Sequence, residues 1–288
     1  MMIKPLAFDS FSVRSMATSV VAGKHKVVID PGIALGPQRF GLEPSDLEYK
    51  ALEDGERIIK SELRDADIVT ISHYHFDHHP FYDDESFNRI AYKDKTLIVK
   101  DSKTKINLSQ KKRAFVFEKI ASKLASKILK GDSKEFNFDS LNIKCSKPVF
   151  HGSTSRLGYV IMVKLSYKND SLMHCSDIQG PIVEETARVI IKENPRTLII
   201  GGPPTYLLGF RMSYKDLERA KNNVLRIITK TNVKDVIIDH HLLRDLKFRE
   251  RFNIYEKAKQ LGCELKTAAE FLGIENKQLE ARRRELSK

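Results

Sequence analysis

Short apolar runs separated by turn residues open the chain. LAFDS, SMATSVVA and HKVVID are rich in small and β-branched residues and predict strands, with Asp30-Pro31-Gly32 as a stop. SDLEYKALEDGERIIKSELRD (45–65) changes period: its apolar residues fall at helical spacing behind a Ser45 cap. ADIVTIS (66–72) then predicts a buried strand that runs into ISHYHFDHHP (71–80). Within 111–130, FEKIASKLASKILK predicts an amphipathic helix ending at Gly131.

Beyond it, LNIKCSKPVF (141–150) is a strand ending at His151-Gly152, and LGYVIMVKL and SLMHCS are strands, the second ending at Asp177. VEETARVIIKEN (183–194) predicts a helix before the strand TLIIGG, and YKDLERAKNNVLRIITK (214–230) a helix before DVIID, which ends at His240-His241. Helix and strand therefore alternate in the last third, as in an α/β protein. No repeat or linker interrupts the pattern, so a single domain over 1–288 is expected.

Four of these β-rich runs end in residues of the kind that bind divalent ions. They are His73/His75/Asp77/His78, His151, Asp177 and His240/His241. A lone histidine at a strand end is usually structural. Four matching ends are different, because buried imidazoles and carboxylates are costly without a partner. On an extended segment, side chains two apart share a side, so His73 and His75 can meet one ion while Asp77 and His78 turn towards a second. If DVIID continues extended, adjacent side chains point to opposite faces, and only one of His240 and His241 reaches the metals.

His73-Tyr74-His75-Phe76-Asp77-His78 resembles the HxHxDH signature of the metallo-β-lactamase superfamily, and the order of the later ligands is similar over nearly the whole chain. VVIDPGIALGP, SHYHFDHHP, SDIQGP, GPPTYLLG and DHHLLRD look, more narrowly, like an archaeal branch of predicted metal-dependent hydrolases. The resemblance implies a four-layer αββα sandwich with two metal ions at one edge. His73, His75 and His151 would hold the first ion, and Asp77, His78 and His240 the second, with Asp177 bridging. Asp30 would fix an imidazole from behind, His79 would lie outside the ligands, and His241 is the alternative to His240. Redox di-iron members carry glutamate where this chain has His75, which favours hydrolysis with Zn2+, Mn2+ or Fe2+ being alternatives. Asp77 would orient the nucleophile, a metal-activated hydroxide, or pass its proton.

Composition adds the substrate question. Of the 288 residues 41% are hydrophobic, enough for a proper core, and the three cysteines form no CxxC pair. The longest apolar run, 197–210, is broken by Gly201, Gly202, Pro203 and Pro204, short of the roughly 20 residues a membrane helix needs. With no signal-like N-terminus, a cytoplasmic protein is expected. The net charge is +12, and segment 93–134, with thirteen Lys or Arg against four acids, holds +9 of it. That segment, insertion-like in its charge, with Lys111-Lys112-Arg113 and Arg244 near the metal edge, favours a phosphodiester or other phosphorylated anion, nucleic acid included.

Hydrolysis of a small ester, thioester or lactone is the alternative, with GGPPTYLLGF (201–210) as a pocket wall and Tyr206 against the substrate. A third class comes from the tail, TAAEFLGIENKQLEARRREL (267–286), which resembles part of a helix-turn-helix and would bind nucleic acid. The plainer expectation is two short helices, opened by a Thr267/Glu270 capping box. Ala268, Phe271, Leu272, Ile274 and Leu279 would pack inward, and Arg282-Arg283-Arg284 would form a solvated face. The oligomeric state is left open by the sequence.

Overall fold

The computed structural model describes residues 1–287. A first sheet of six strands runs in sequence order: β1 (Met2–Phe8), β2 (Met16–Ala22), β3 (His25–Ile29), β4 (Ile68–Ile71), β5 (Thr96–Val99) and β6 (Lys127–Lys130). A separate two-stranded ribbon pairs β9 (Val149–Phe150) with β10 (Tyr159–Val160), and a second large sheet follows. That sheet has the order β15-β14-β13-β12-β11-β8-β7. Its strands are β7 (Glu135–Phe138), β8 (Leu141–Cys145), β11 (Val163–Tyr167), β12 (Asp170–His174), β13 (Thr197–Gly201), β14 (Asp235–Asp239) and β15 (Glu264–Lys266).

The two sheets share one plan. Antiparallel pairs come first, and parallel strands follow once helices provide the return path. Helices α1 (Asp46–Arg64), α2 (Glu85–Tyr92) and α3 (Leu108–Leu124) cover the first sheet, burying Ile59, Leu63, Phe87, Tyr92 and Phe117 against it. Helices α4 (Glu184–Glu193), α5 (Tyr214–Lys230) and α7 (Tyr255–Gln260) cover the second, while α6 (Phe248–Arg251) is a single turn. Phe8, Val27, Ile29, Ile68, Ile143, Leu165 and Ile199 fill the space between the sheets. The result is the expected αββα sandwich. Parallel strands in each sheet present their C-terminal ends to one edge, and that edge carries the site.

Four expectations change. The predicted helix in 111–130 stops at Leu124, and Lys127–Lys130 is a strand parallel to β5. Ile128 packs beneath the helices and Leu129 packs between the sheets, so neighbouring side chains serve opposite layers. Only an extended chain does that. Segment 93–134 is accordingly no insertion: β5, α3 and β6 are integral to the first sheet and its cover.

The tail forms α8 (Ala268–Phe271) and α9 (Leu279–Leu286), with the Thr267/Glu270 capping box present. Ala268 is buried and Phe271 packs against the core between the sheets, but Leu272 and Ile274 are exposed. The arginine triplet is not a solvated face. Arg283 is 1% exposed, pairs with the buried Glu48 of α1 at 2.9 Å, and donates to the carbonyls of Leu42 and Gly36. Glu280 pairs with Arg14 at 2.7 Å, so α9 is fastened by charge to the first half of the chain. No described helix is long and apolar enough to cross a membrane.

Candidate metal centre

Each strand that reaches the edge must turn at once, and the turns aim the donor atoms. Asp30, Ser176 and His240 all take left-handed backbone conformations, with φ of 49°, 55° and 59°. Non-glycine residues accept that conformation where the surroundings hold them in it, often at functional sites. After β4 the chain folds tightly, the His78 N–H donating to the His75 carbonyl at 3.0 Å. Gly32 permits this packing: a Cβ there would lie 2.1 Å from the backbone nitrogen of His79.

The turns bring together donor atoms from both sheets. His73, His75, His151 and Asp177 form one group and Asp77, His78 and His240 a second, and within each group the donors lie within 4.8 Å of one another. Asp177 stands between the groups. Its Oδ2 is 2.9 Å from His151 Nε2 and 3.8 Å from His73 Nε2, while its Oδ1 is 3.3 Å from the Nε2 atoms of both His78 and His240. Asp77 completes the second group, 3.5 Å from His240 Nε2 and 3.9 Å from His78 Nε2.

The far nitrogens are held by other groups. Asp30 Oδ2 accepts from His78 Nδ1 at 2.9 Å, and Asp30 also accepts from the Ser72 N–H and hydroxyl. Ser72 Oγ lies 3.0 Å from His73 Nδ1. Asp9 Oδ2 is 2.6 Å from His240 Nδ1. An Nδ1–H pinned in this way leaves Nε2 with its lone pair facing the cluster.

The donors fit a cation. His73 Nε2, His78 Nε2 and Asp177 Oδ1 are buried and have no hydrogen-bond partner. Such orphans cost about 1–3 kcal/mol each. Burial, aided by the neighbouring imidazoles, drives His73 well below its usual pKa. Burial likewise takes His75 down to about 3, so both imidazoles stay neutral and suited to ligation. His240 goes the other way: burial opposes its charge, yet Asp177 and Asp9 push its pKa up to about 9. His78 is raised for the same reason by Asp177 and Asp30. Asp177 is held well below the carboxylate range, burial being outweighed by His240 and His78. Carboxylates thus accumulate negative charge at the centre that a proton or a metal cation must balance.

Both late histidines reach the centre, which corrects the expectation that only one could. The strand ends at Asp239, and residues 240–244 form a 3-10 turn in which His241 Nε2 comes within 3.9 Å of Asp177 Oδ2. Asp177, His240 and His241 form a third set of converging donors. His79 lies apart, its Nδ1 on the Pro80 carbonyl and its ring against Phe76 and Phe117.

The two expected substrate residues are engaged by the protein. Arg244 is 5% exposed, its Nε is 2.6 Å from Asp9 Oδ1, and its Nη2 lies 3.3 Å from His240 Nε2 and 3.9 Å from Asp77. Tyr206 is half-buried beneath the guanidinium of Arg39, 4.3 Å from its ring centre. Sequence reasoning missed Asp9, which supports both His240 and Arg244. The signal was available in LAFDS, an aspartate ending a strand as Asp30 does. It also missed Asp239, whose carboxylate accepts from the N–H groups of Ser10, His240 and Ala268 and so ties the late turn to both chain ends.

The profile of the metallo-β-lactamase superfamily matches residues 13–78, which end at His78. The chain superposes on the isothiocyanate hydrolase from Delia radicum gut bacteria with a TM-score of 0.54 and 16% identity, covering 88% of this chain and 93% of that one. Tm1679, a metal-dependent hydrolase of the β-lactamase superfamily, gives a TM-score of 0.50 at 12% identity, covering 92% and 94%. At such identities the likeness is one of fold. In sequence, the UPF0282 protein of Methanocaldococcus jannaschii is 41% identical over 99% of this chain and 96% of its own length. Aligned end to end with that relative, and carrying the HxHxDH run on the superfamily's fold, the chain belongs to the UPF0282 family of the metallo-β-lactamase superfamily.

Proposed function

We propose that the protein is a metal-dependent hydrolase that acts on a phosphodiester or other phosphorylated anion. The observation that carries this reading is the set of orphaned buried donors, His73 Nε2, His78 Nε2 and Asp177 Oδ1, converging from two sheets. His73, His75, His151 and Asp177 would hold one divalent ion, and Asp77, His78, His240 and Asp177 another, with His241 beside them. The chemistry two such ions supply when bound is acidification of water to near neutrality and polarisation of the scissile group.

The chain's own contribution is orientation. Asp30 and Asp9 fix the ring planes of His78 and His240, so that Nε2 rather than Nδ1 faces the reaction space. Asp77 retains more accessible side-chain surface than Asp177, at 17% against 1%, and is the carboxylate best exposed to an incoming water. Burial opposes its ionisation, but His78 and His240 hold it ionised, so that it can orient a water by accepting its hydrogen bond. Histidine rather than glutamate at position 75 supports hydrolysis over redox chemistry, and the +12 net charge supports an anionic substrate.

The test is metal analysis joined to a substrate panel. Protein purified without chelator and loaded with zinc or manganese should carry about two ions per chain and hydrolyse bis-p-nitrophenyl phosphate. A metal content near zero after loading would end the dinuclear reading. Turnover confined to thioesters or lactones would replace phosphoryl by acyl chemistry.

A further inference from the structure

Most arginines of this chain are either paired with a carboxylate or exposed. Among the described residues, Arg39 and Arg113 alone are half-buried without a carboxylate oxygen within 4 Å. Burying part of a guanidinium without a counter-charge is unfavourable, and burial lowers the pKa of both. Arg39 has an internal explanation. Its guanidinium lies against the rings of Tyr206 and Phe40, at 4.3 and 4.6 Å, and donates to the Arg244 carbonyl.

Arg113 does not. It projects from α3, whose Phe117 packs against Tyr74 with ring centres 5.4 Å apart. Its Nε donates to the carbonyl oxygen of Tyr74, the residue between His73 and His75. The guanidinium lies 5.5 Å from the ring centre of Phe76. Its charge is felt at Asp77 and at His75. Its two terminal nitrogens have no hydrogen-bond partner among the described residues and are open to solvent. The HxHxDH turn thus carries, on its own backbone, an oriented cation with its fork free. Lys111 and Lys112, its neighbours in sequence, are exposed.

We propose that Arg113 binds a phosphoryl oxygen of the substrate through its terminal nitrogens, beside Asp77. The fork matches two oxygens of a tetrahedral phosphoryl group, and the Nε brace fixes its plane before the ligand arrives. The inference deepens the hydrolase reading and rests on it for the identity of the substrate. It narrows the role of the basic segment to one residue that reaches the site.

The test measures equilibrium binding of phenylphosphonate and of benzoate to the zinc-loaded full-length protein by calorimetry, in wild type, R113K and R113M. R113M should weaken phenylphosphonate about 10- to 100-fold, the worth of a charged hydrogen-bonded pair, with the metal content per chain unchanged. R113K, which keeps the charge and loses the fork, should fall between. Affinity within twofold of wild type in R113M overturns the proposal, as does a wild type that binds no phosphonate. A loss confined to benzoate overturns the phosphoryl assignment in favour of a carboxylate. If R113M does not fold, R113K decides alone, with a loss of about fivefold expected and an unchanged affinity overturning. The hydrolase reading fails separately: loss of phosphonate by R113M in a protein that turns over no ester keeps Arg113 and removes hydrolysis.

Discussion

Asp9 and His240 are joined across the whole chain: a carboxylate oxygen of the first stands 2.6 Å from Nδ1 of the second, 231 positions later. The same carboxylate takes the Nε of Arg244 at 2.6 Å through its other oxygen. In Asp9→Asn the amide can donate to Nδ1, which moves the imidazole proton to Nε2, where a ligand lone pair is needed. Metal affinity at the second position should fall about 10- to 100-fold. Arg244, left buried without its counter-charge, should cost a further 3–5 kcal/mol or about that in stability. Chelator competition reads the first effect and urea unfolding the second; unchanged affinity would show that Asp9 serves only Arg244.

Asp77 is expected to act in turnover more than in folding. Asp77→Ala should lower kcat by about 10²-fold or more, the usual scale for a lost proton-transfer group. Its melting temperature should stay near that of wild type, because the side chain keeps 17% of its surface exposed and is part of no core cluster. Parallel measurement of turnover and thermal unfolding checks both halves.

The Arg283–Glu48 pair fastens the tail. Arg283→Met leaves Glu48 buried and uncompensated, so a loss of about 3–5 kcal/mol is expected. Adding Glu48→Gln to it should recover much of that loss. A double-mutant cycle by urea denaturation measures the coupling, and simple additivity of the two changes would contradict the pairing seen at 2.9 Å.

Acid should weaken the protein partly through Glu62. Burial opposes its ionisation, but Lys26, Lys4 and Ser19 bond to the carboxylate and lower its pKa from 4.5 to about 2. A depressed carboxylate stabilises the fold fully above its unfolded value, and that contribution is lost as pH falls from about 4.5 through 2. Glu62→Gln should therefore be less stable by about 1 kcal/mol at pH 7. The difference should shrink towards pH 2 and vanish below it. Unfolding curves for both proteins across this range test the sign.

The candidate donors were legible because each follows an apolar run directly, and a strand end is a local signal. The layers were legible for the same reason. What the sequence concealed depends on contacts made at a distance. KILK has helical company in 117–130, and only its pairing with β5 makes it a strand. Arg283 reads as one of three equal arginines until Glu48 arrives from 235 positions away. His241 points inward because the backbone leaves the strand at His240, a left-handed turn that alternation cannot anticipate. Arg113 stood in a run of three basic residues, and its attachment to the Tyr74 carbonyl alone sets it apart.

The division of the donor set between the sheets has a consequence for biosynthesis. His73, His75, Asp77 and His78 follow β4 in the first sheet, whereas Asp177 and His240 follow strands of the second. A ribosome that has delivered the first sheet has delivered only a fragment of the centre, and the Asp9 brace must wait for His240, most of the way to the end. A cation held by all of these donors would then be retained only late, after both halves have been made and have closed on each other. A truncated or half-docked chain would present only part of the donor set and would hold such a cation weakly, forgoing the stability its binding adds to the folded state.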